Sequence, residues 1–248
     1  MKIRNLDLNS GKTAVCVPVT EKDQEGIIEH IQELAGSADM IEWRIDYFED
    51  IYSLEKITAV LKKARAIAKN TPLLGTIRTD LEGGNFPVKS VDYKETIKGI
   101  AESGCADLID IEYDTLGDDR GLIGEVENCG VKTVLSHHDF NCTPDTKTMY
   151  DYLISMKDAG ADIVKLAVMP KDSSDVLRLL QVTNDFHKDL PETPLITMSM
   201  GSIGTISRLC GQTFGSCITF GADREASAPG QIDFEELKEI VRILDEAE

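Results

Sequence analysis

Asp162-Ile163-Val164-Lys165-Leu166-Ala167-Val168-Met169-Pro170 reads as a strand covered on both faces, with one charge at its centre. An ammonium group is expensive to bury unless it is paired or gives up its proton. A lysine that gives up its proton is a nucleophile, and its usual chemistry is a Schiff base with a carbonyl. A lysine that is paired is a core ion pair. The stretch alone leaves both readings open, and the rest of the chain has to separate them.

Seven further runs resemble it: Thr13–Val19, Met40–Asp46, Leu73–Arg78, Asp107–Glu112, Lys132–His138, Pro194–Met200 and Ser216–Phe220. Between the strands, apolar residues recur at helical spacing over Asp23–Ala35, Leu54–Ala68, Val91–Ser103, Asp145–Ala159, Ser174–His187 and Phe234–Leu244, and more weakly over Gly121–Asn128 and Ser202–Cys210. Strand starts recur every 20 to 35 residues or so, roughly the spacing of repeated βα units. Eight such units predict an α/β fold, a (β/α)8 TIM barrel, with a doubly wound open sheet second. No Pro/Gly-rich linker interrupts the series, so residues 1–248 are expected to form a single catalytic domain.

Alternation inside the strands is unusual for a packed barrel. Glu42, Arg44 and Asp46 share one face of their run, opposite Ile41, Trp43 and Ile45. Asp110 and Glu112 share a face, as do Ser136 and His138, while Lys165 falls with Ile163 and Ala167. The apolar faces must meet the outer helices, which turns the polar ones, with Arg78, into the barrel. Barrels place their active sites at the C-terminal ends of the strands, so this many converging charges favour a functional pocket over a single buried ion pair.

Composition narrows the partners. A net charge of −18 and a pI near 4.6 exclude a general affinity for nucleic acid or an anionic membrane. Any anion must therefore be held by a local cluster of arginines and amides. The six cysteines show no zinc or redox spacing, which points to a reduced, cytoplasmic protein. Met1–Ser10 lacks the apolar core of a leader, and no stretch is long enough to span a bilayer.

Several loops add chemistry. His138 ends the fifth strand, beside the strand of Lys165, and suits proton transfer at a carbon next to an iminium. The preceding His137 has opposite parity and should face the helices, whereas His30 and His187 are expected in solvent. Glu82, in the turn before Gly83-Gly84, is placed to reach back and orient His138. Met200-Gly201-Ser202-Ile203-Gly204 resembles an anion cradle opening a helix, and Arg208 adds a forked donor suited to a carboxylate. Ser227-Ala228-Pro229-Gly230-Gln231 is a loop of mostly small residues that suits a lid.

Taken together, Glu42-Trp43-Arg44-Ile45-Asp46, Thr76–Thr79 with Glu82-Gly83-Gly84, Ser136–Phe140, Lys165–Pro170, Met198–Gly201 with Ser207-Arg208, and Ser227–Gln231 resemble type I 3-dehydroquinate dehydratase. The resemblance runs from Val15 to Gln231, and His137 is the one noted departure, where an aromatic such as Tyr is expected. It implies a TIM barrel, active as a homodimer, that converts 3-dehydroquinate to 3-dehydroshikimate without metal or organic cofactor. It further implies Lys165 as the Schiff-base lysine, His138 as general acid/base and Glu82 as its orienting partner. Arg208 and Gln231 would bind the carboxylate, and Glu42, Arg44 and Arg78 the ring hydroxyls. Ser227 would cover the substrate, with Phe220, Met198 and Met200 packing against the ring. The competing readings are a class I Schiff-base aldolase and a catalytically inactive barrel that binds a metabolite.

Overall fold

Eight parallel strands form the centre of this computed structural model: β1 (Ala14–Val19), β2 (Met40–Arg44), β3 (Leu73–Thr76), β4 (Leu108–Glu112), β5 (Lys132–Asp139), β6 (Ile163–Val168), β7 (Leu195–Ser199) and β8 (Ile218–Phe220). Residues 1–89, 92–117 and 119–247 are described. Each strand pairs with its sequence neighbours, and β8 pairs back onto β1 through Ile218↔Ala14 and Phe220↔Cys16. A parallel bridge between Leu195 and Ser216 closes the β7–β8 seam. The expected TIM barrel is thus the observed one, and the open-sheet alternative falls.

The outer layer is α1 (Gln24–Leu34), α2 (Leu54–Ala68), α3 (Tyr93–Glu102), α4 (Gly121–Asn128), α5 (Thr146–Asp158), α6 (Ser173–Asp189) and α7 (Phe234–Asp245). Side-chain caps fix many of their starts. The Asp23, Ser53, Asp92, Asp145, Asp172 and Asp233 oxygens each accept from a backbone N–H in the first turn. Of the predicted helix Val91–Ser103, the first residue lies outside the described residues. The stretch Ser202–Cys210 is not one helix: two single turns, Gly201–Gly204 and Ile206–Leu209, replace it, and a third, Gly211–Phe214, follows.

Strand alternation builds two cores. Ile41, Trp43, Ile109, Ile111, Leu135, Val164, Leu166 and Val168 pack outward against the helices. Inside the barrel, Met40, Leu74, Leu108, Val134, Ile163, Ile196 and Ile218 make an apolar layer at the N-terminal ends of the strands. The first residues close its floor, since the pair Lys2–Ile3 and Leu6–Asp7 brings Ile3 and Leu8 onto this cluster. The polar residues Glu42, Thr76, Asp110, Ser136 and Lys165 lie one step further along the strands, above this layer.

Two placements correct the sequence reading. The strand predicted to run to Asp46 stops at Arg44, and Ile45–Tyr47 is a 3-10 turn. Asp46 is nonetheless buried, because that turn folds its carboxylate back onto Arg44. His30 is not in solvent: it is buried between Glu21 at 2.7 Å and Asp223 at 2.9 Å, which tie α1 to the loop after β8. His187 is exposed as expected.

Candidate active site

A cavity opens at the C-terminal ends of the strands. Glu42, Arg44, Arg78, Glu82, His138, Lys165, Met198, Met200, Phe220, Ser227 and Gln231 all reach its wall. Arg208 lies behind the wall rather than on it.

Lys165 comes from the middle of β6, with Ser136 as its register partner on β5. Its Nζ is 3.0 Å from Asp110 Oδ2 and 4.6 Å from the centre of the Phe220 ring. The lysine is therefore ion-paired, as one of the two sequence readings has it, and it also faces a cavity. Asp110 is fully buried, and its other oxygen accepts from Arg78 at 2.8 Å and from Ser136 at 2.6 Å. Burial works against its charge, but Arg78 and Lys165 outweigh that and pull its carboxyl down to about 2. Asp110 thus keeps a counter-charge on Lys165 and belongs with the site residues. The alternation of β4 pointed to it, although the family resemblance assigned it no role.

Arg78 is the hub. Besides Asp110 it donates to Glu112 at 3.1 Å, to Ser136 at 3.1 Å and to Glu82 at 3.4 Å. Burial disfavours its charge, yet these carboxylates more than compensate and raise its pKa. Glu112 also takes the Thr79 N–H at 2.7 Å and the Thr79 hydroxyl at 2.6 Å, which anchors the turn Asp80–Glu82. That turn returns sharply. Gly83 has φ +79°, and a Cβ on Gly84 would lie 2.1 Å from the Arg78 carbonyl oxygen. The two glycines are needed to bring Glu82 over the barrel mouth.

Glu82 Oε2 lies 2.8 Å from His138 Nδ1. Burial pushes the Glu82 carboxyl up to about 8, with Arg78 opposing. Burial also lowers His138 well below the usual imidazole value, and the positive charges of Arg78 and Lys165 add to the shift. On the other side of the cavity Arg44 is clamped by Asp46 through two bonds of 2.8 Å. Glu42 accepts from Thr76 at 2.8 Å. Phe140, given no role in the sequence reading, also lines the cavity, and its ring fills the space that a Cβ on Gly83 would take. An aromatic just past a strand carries no alternation signal, so only the fold places it.

Arg208 is 1% exposed and has no carboxylate partner among the described residues. Its Nη2 donates to the Pro229 carbonyl at 3.0 Å, its Nη1 reaches only the Met198 sulfur at 3.7 Å, and its Nε lacks a partner. Burial without a counter-charge lowers its pKa to about 10. The Gly201 N–H, the first donor of the expected anion cradle, is taken by the Pro229 carbonyl at 3.1 Å. Gly204 serves close packing, since a Cβ there would meet the Ser199 carbonyl oxygen at 2.3 Å, while Gly201 supplies a left-handed φ of +69°. Within the loop, Gln231 Oε1 accepts the Ser227 N–H at 2.8 Å, and its Nε2 donates to the Ser227 hydroxyl at 3.2 Å.

A (β/α)8 barrel with a lysine, a histidine and carboxylates converging on one cavity at its catalytic end defines a barrel enzyme for small polar molecules. Comparison with known proteins carries this further. The type I 3-dehydroquinase family matches residues 15–248. The 3-dehydroquinate dehydratases of Clostridioides difficile and Listeria monocytogenes are 42% and 41% identical to the chain, each covering 98% of it and 96% of the relative. The Geobacillus kaustophilus 3-dehydroquinate dehydratase structure superposes with a TM-score of 0.95 at 36% identity, over 100% of this chain and 96% of that one. The type I enzyme of Clostridium difficile, solved with covalently modified comenic acid, gives 0.94 at 38%, over 100% and 98%. The chain belongs to the type I 3-dehydroquinase family, and with it to the hydro-lyases.

Proposed function

We propose that this chain dehydrates 3-dehydroquinate to 3-dehydroshikimate, the third step of the shikimate pathway, through a Schiff base on Lys165. The observation that carries the reading is the placement of Lys165 Nζ: buried, held by Asp110 at 3.0 Å, and facing the cavity that His138 also lines. Family membership and the covalent adduct of the Clostridium difficile relative support it.

The chemistry follows from these groups. Lys165, once unprotonated, attacks the ring ketone, and the carbonyl oxygen leaves as water to give an iminium. The iminium draws electrons and acidifies the neighbouring C–H. His138 Nε2 takes that proton, and its conjugate acid protonates the departing hydroxyl, which leaves as water. Hydrolysis of the imine consumes one water and returns Lys165, so the net loss is one water. Glu82 holds the imidazole in place. Arg208, with Gln231 on the loop, binds the substrate carboxylate. The buried guanidinium has no counter-charge among the described residues, and an anion supplies one.

Glu42, Arg44 and Arg78 hold the ring hydroxyls, Ser227 closes over the ring, and Met198, Met200 and Phe220 pack against it. Residues 1–248 act as one catalytic domain, in the cytoplasm and as a homodimer. Among the described residues, no helix is long and apolar enough to cross a membrane. Incubation with 3-dehydroquinate and borohydride, followed by intact mass and peptide mapping, tests the reading: one adduct per chain on Lys165 is expected. An aldolase would instead cleave a C–C bond of its own substrate, and a binding-only barrel would trap nothing.

A further inference from the structure

On the side of Glu82 away from His138, three ligand-bearing side chains converge without satisfying one another. His137 Nδ1 lies 3.0 Å from Asp114 Oδ2 and 3.8 Å from Glu82 Oε1, and one such atom from each residue falls within 4.8 Å of the others. Glu82 Oε1 and His137 Nδ1 are both buried and, among the described residues, neither has a hydrogen-bond partner. Glu82 is 5% exposed, and all its polar contacts to His138 and Arg78 use Oε2. Its second oxygen is therefore buried, without a hydrogen-bond partner among the described residues, on the side of the His137 ring nitrogen. Buried polar atoms are seldom left unpaired, and a carboxylate oxygen and an imidazole nitrogen left so beside the Asp114 carboxylate are the donor set a cation takes.

The surroundings are built for such a species. The His137 ring stacks on Tyr152, with centroids 4.2 Å apart and planes 12° apart, so its Nδ1 is fixed in direction. The Tyr152 hydroxyl donates to Asp114 Oδ2 at 3.3 Å, as an outer partner that orients a ligand. The Asp114 side chain is half exposed and gives access from solvent. An imidazole nitrogen with two carboxylates suits a borderline first-row dication and not a hard one such as Mg²⁺. Metal–ligand bonds of about 2.0 to 2.2 Å place neighbouring ligand atoms roughly 3 to 3.5 Å apart, which the 3.0 Å between His137 and Asp114 meets and the 3.8 Å between His137 and Glu82 slightly exceeds.

We propose that His137, Asp114 and Glu82 form a binding site for a zinc-class divalent cation, sharing Glu82 with the cavity. Two ligands come from elements that sit together only in the barrel, the turn after β3 and the helical turn Tyr113–Leu116 after β4. A cation on Oε1 draws charge from the carboxylate whose Oε2 supports His138, so occupancy slows turnover. That consequence rests on the role of Glu82 given under the proposed function; binding itself does not.

The test is a Co²⁺ titration of the metal-stripped full chain, followed by visible absorption, with His137→Phe and Asp114→Asn beside the parent. The phenyl ring retains the stack on Tyr152, and neither residue has been given a catalytic role. The parent should bind one Co²⁺ saturably, and each variant at least about tenfold more weakly. Zn²⁺ should then inhibit the parent and spare His137→Phe. Equal Co²⁺ binding by His137→Phe and the parent, no saturable binding by the parent, or an intense near-ultraviolet thiolate band from a cysteine would overturn the site. Binding that is lost in both variants but leaves turnover unchanged supports the site and removes the assigned link through Glu82.

Discussion

Glu82 Oε2 accepts the backbone N–H of His138 at 3.0 Å and lies 2.8 Å from Nδ1 of the same residue. One oxygen thus fixes both the main chain and the ring, and leaves Nε2 as the basic nitrogen. Burial drives both partners toward their uncharged forms, with Glu82 raised to about 8 and His138 lowered. A neutral acid beside a neutral imidazole holds the same single proton as a carboxylate beside an imidazolium. The pair therefore titrates as a unit, with one shared proton over a range that extends well below 6.5 on the acid side.

This fixes a pH profile. With His138 uncharged and its Nδ1–H donating to Glu82, Nε2 is free, so the acid limb of kcat/KM for the free enzyme should lie below the ordinary imidazole value of 6.5. Glu82→Gln keeps an acceptor but removes the proton store. Turnover should fall about 10²-fold, the scale of general acid–base catalysis, and the profile should change shape. An acid limb at or above 6.5 in the parent contradicts the shared-proton pair.

The same substitution separates stability from catalysis. Because the folded state raises the Glu82 pKa, the folded protein holds a proton that the unfolded chain releases near 4.5. Stability from this proton is fully present below 4.5 and is lost as pH rises through about 8. Glu82→Gln has no such proton to lose. Its Tm relative to the parent should therefore climb between about pH 5 and pH 8. Thermal melts at several pH values check this, and a constant difference would show that burial does not shift the carboxyl.

Removing the base is a separate test. His138→Ala should cut turnover by at least about 10²-fold while Lys165 still traps substrate as a reducible imine. His137→Ala should be far milder, because that ring packs on Tyr152 of α5 and not on the cavity. Steady-state rates with borohydride trapping check both, and near-parental turnover in His138→Ala would remove that residue from the mechanism.

Much of this arrangement could be read from strand parity. Glu42 and Arg44 opposite Ile41 and Trp43, and Lys165 opposite Val164 and Leu166, have one physical solution: apolar faces outward to the helices and charges inward. Alternation cannot say where a strand stops, so the turn that swings Asp46 back onto Arg44 was missed. Nor can it show contacts made across the chain. The burial of His30 depends on Asp223, and the barrel floor depends on Ile3 and Leu8. Each lies far in sequence from what it covers. Glycine spacing does not distinguish a donor cradle from tight packing, so the close approach of Gly204 to the Ser199 carbonyl was not legible in it.

The glycine turn before the cavity gives a prediction about shape. A methyl group on Gly84 would sit 2.1 Å from the Arg78 carbonyl oxygen, which is backbone and has little room to yield. Gly84→Ala should destabilise the fold by about 1–3 kcal/mol, the usual penalty for overpacking. It should also lower kcat, since Glu82 moves with the turn. Chemical denaturation and kinetics report the two effects, and a variant with parental stability and kcat would show that the turn adapts.

Under the proposed function, Arg208 sets the pose of the substrate. Among the described residues it has no carboxylate partner, and its one short bond is to the Pro229 carbonyl in the loop over the cavity. In a protein of net charge −18, an anionic substrate has little long-range attraction, so the local fork must supply it. Arg208→Lys keeps the charge but loses the fork and the bond geometry to Pro229. Substrate affinity should fall about 10- to 100-fold, the range for a charge-assisted hydrogen bond, and kcat should fall if the ring tilts from His138. Gln231→Ala should weaken binding less, because a neutral hydrogen bond contributes about 0.5–1.5 kcal/mol and this amide already bonds Ser227. Hydrogen exchange of Ser227–Gln231 should slow with ligand in the parent and less so in Arg208→Lys, since the arginine links loop and anion. Parental affinity and loop protection in Arg208→Lys would place the carboxylate elsewhere.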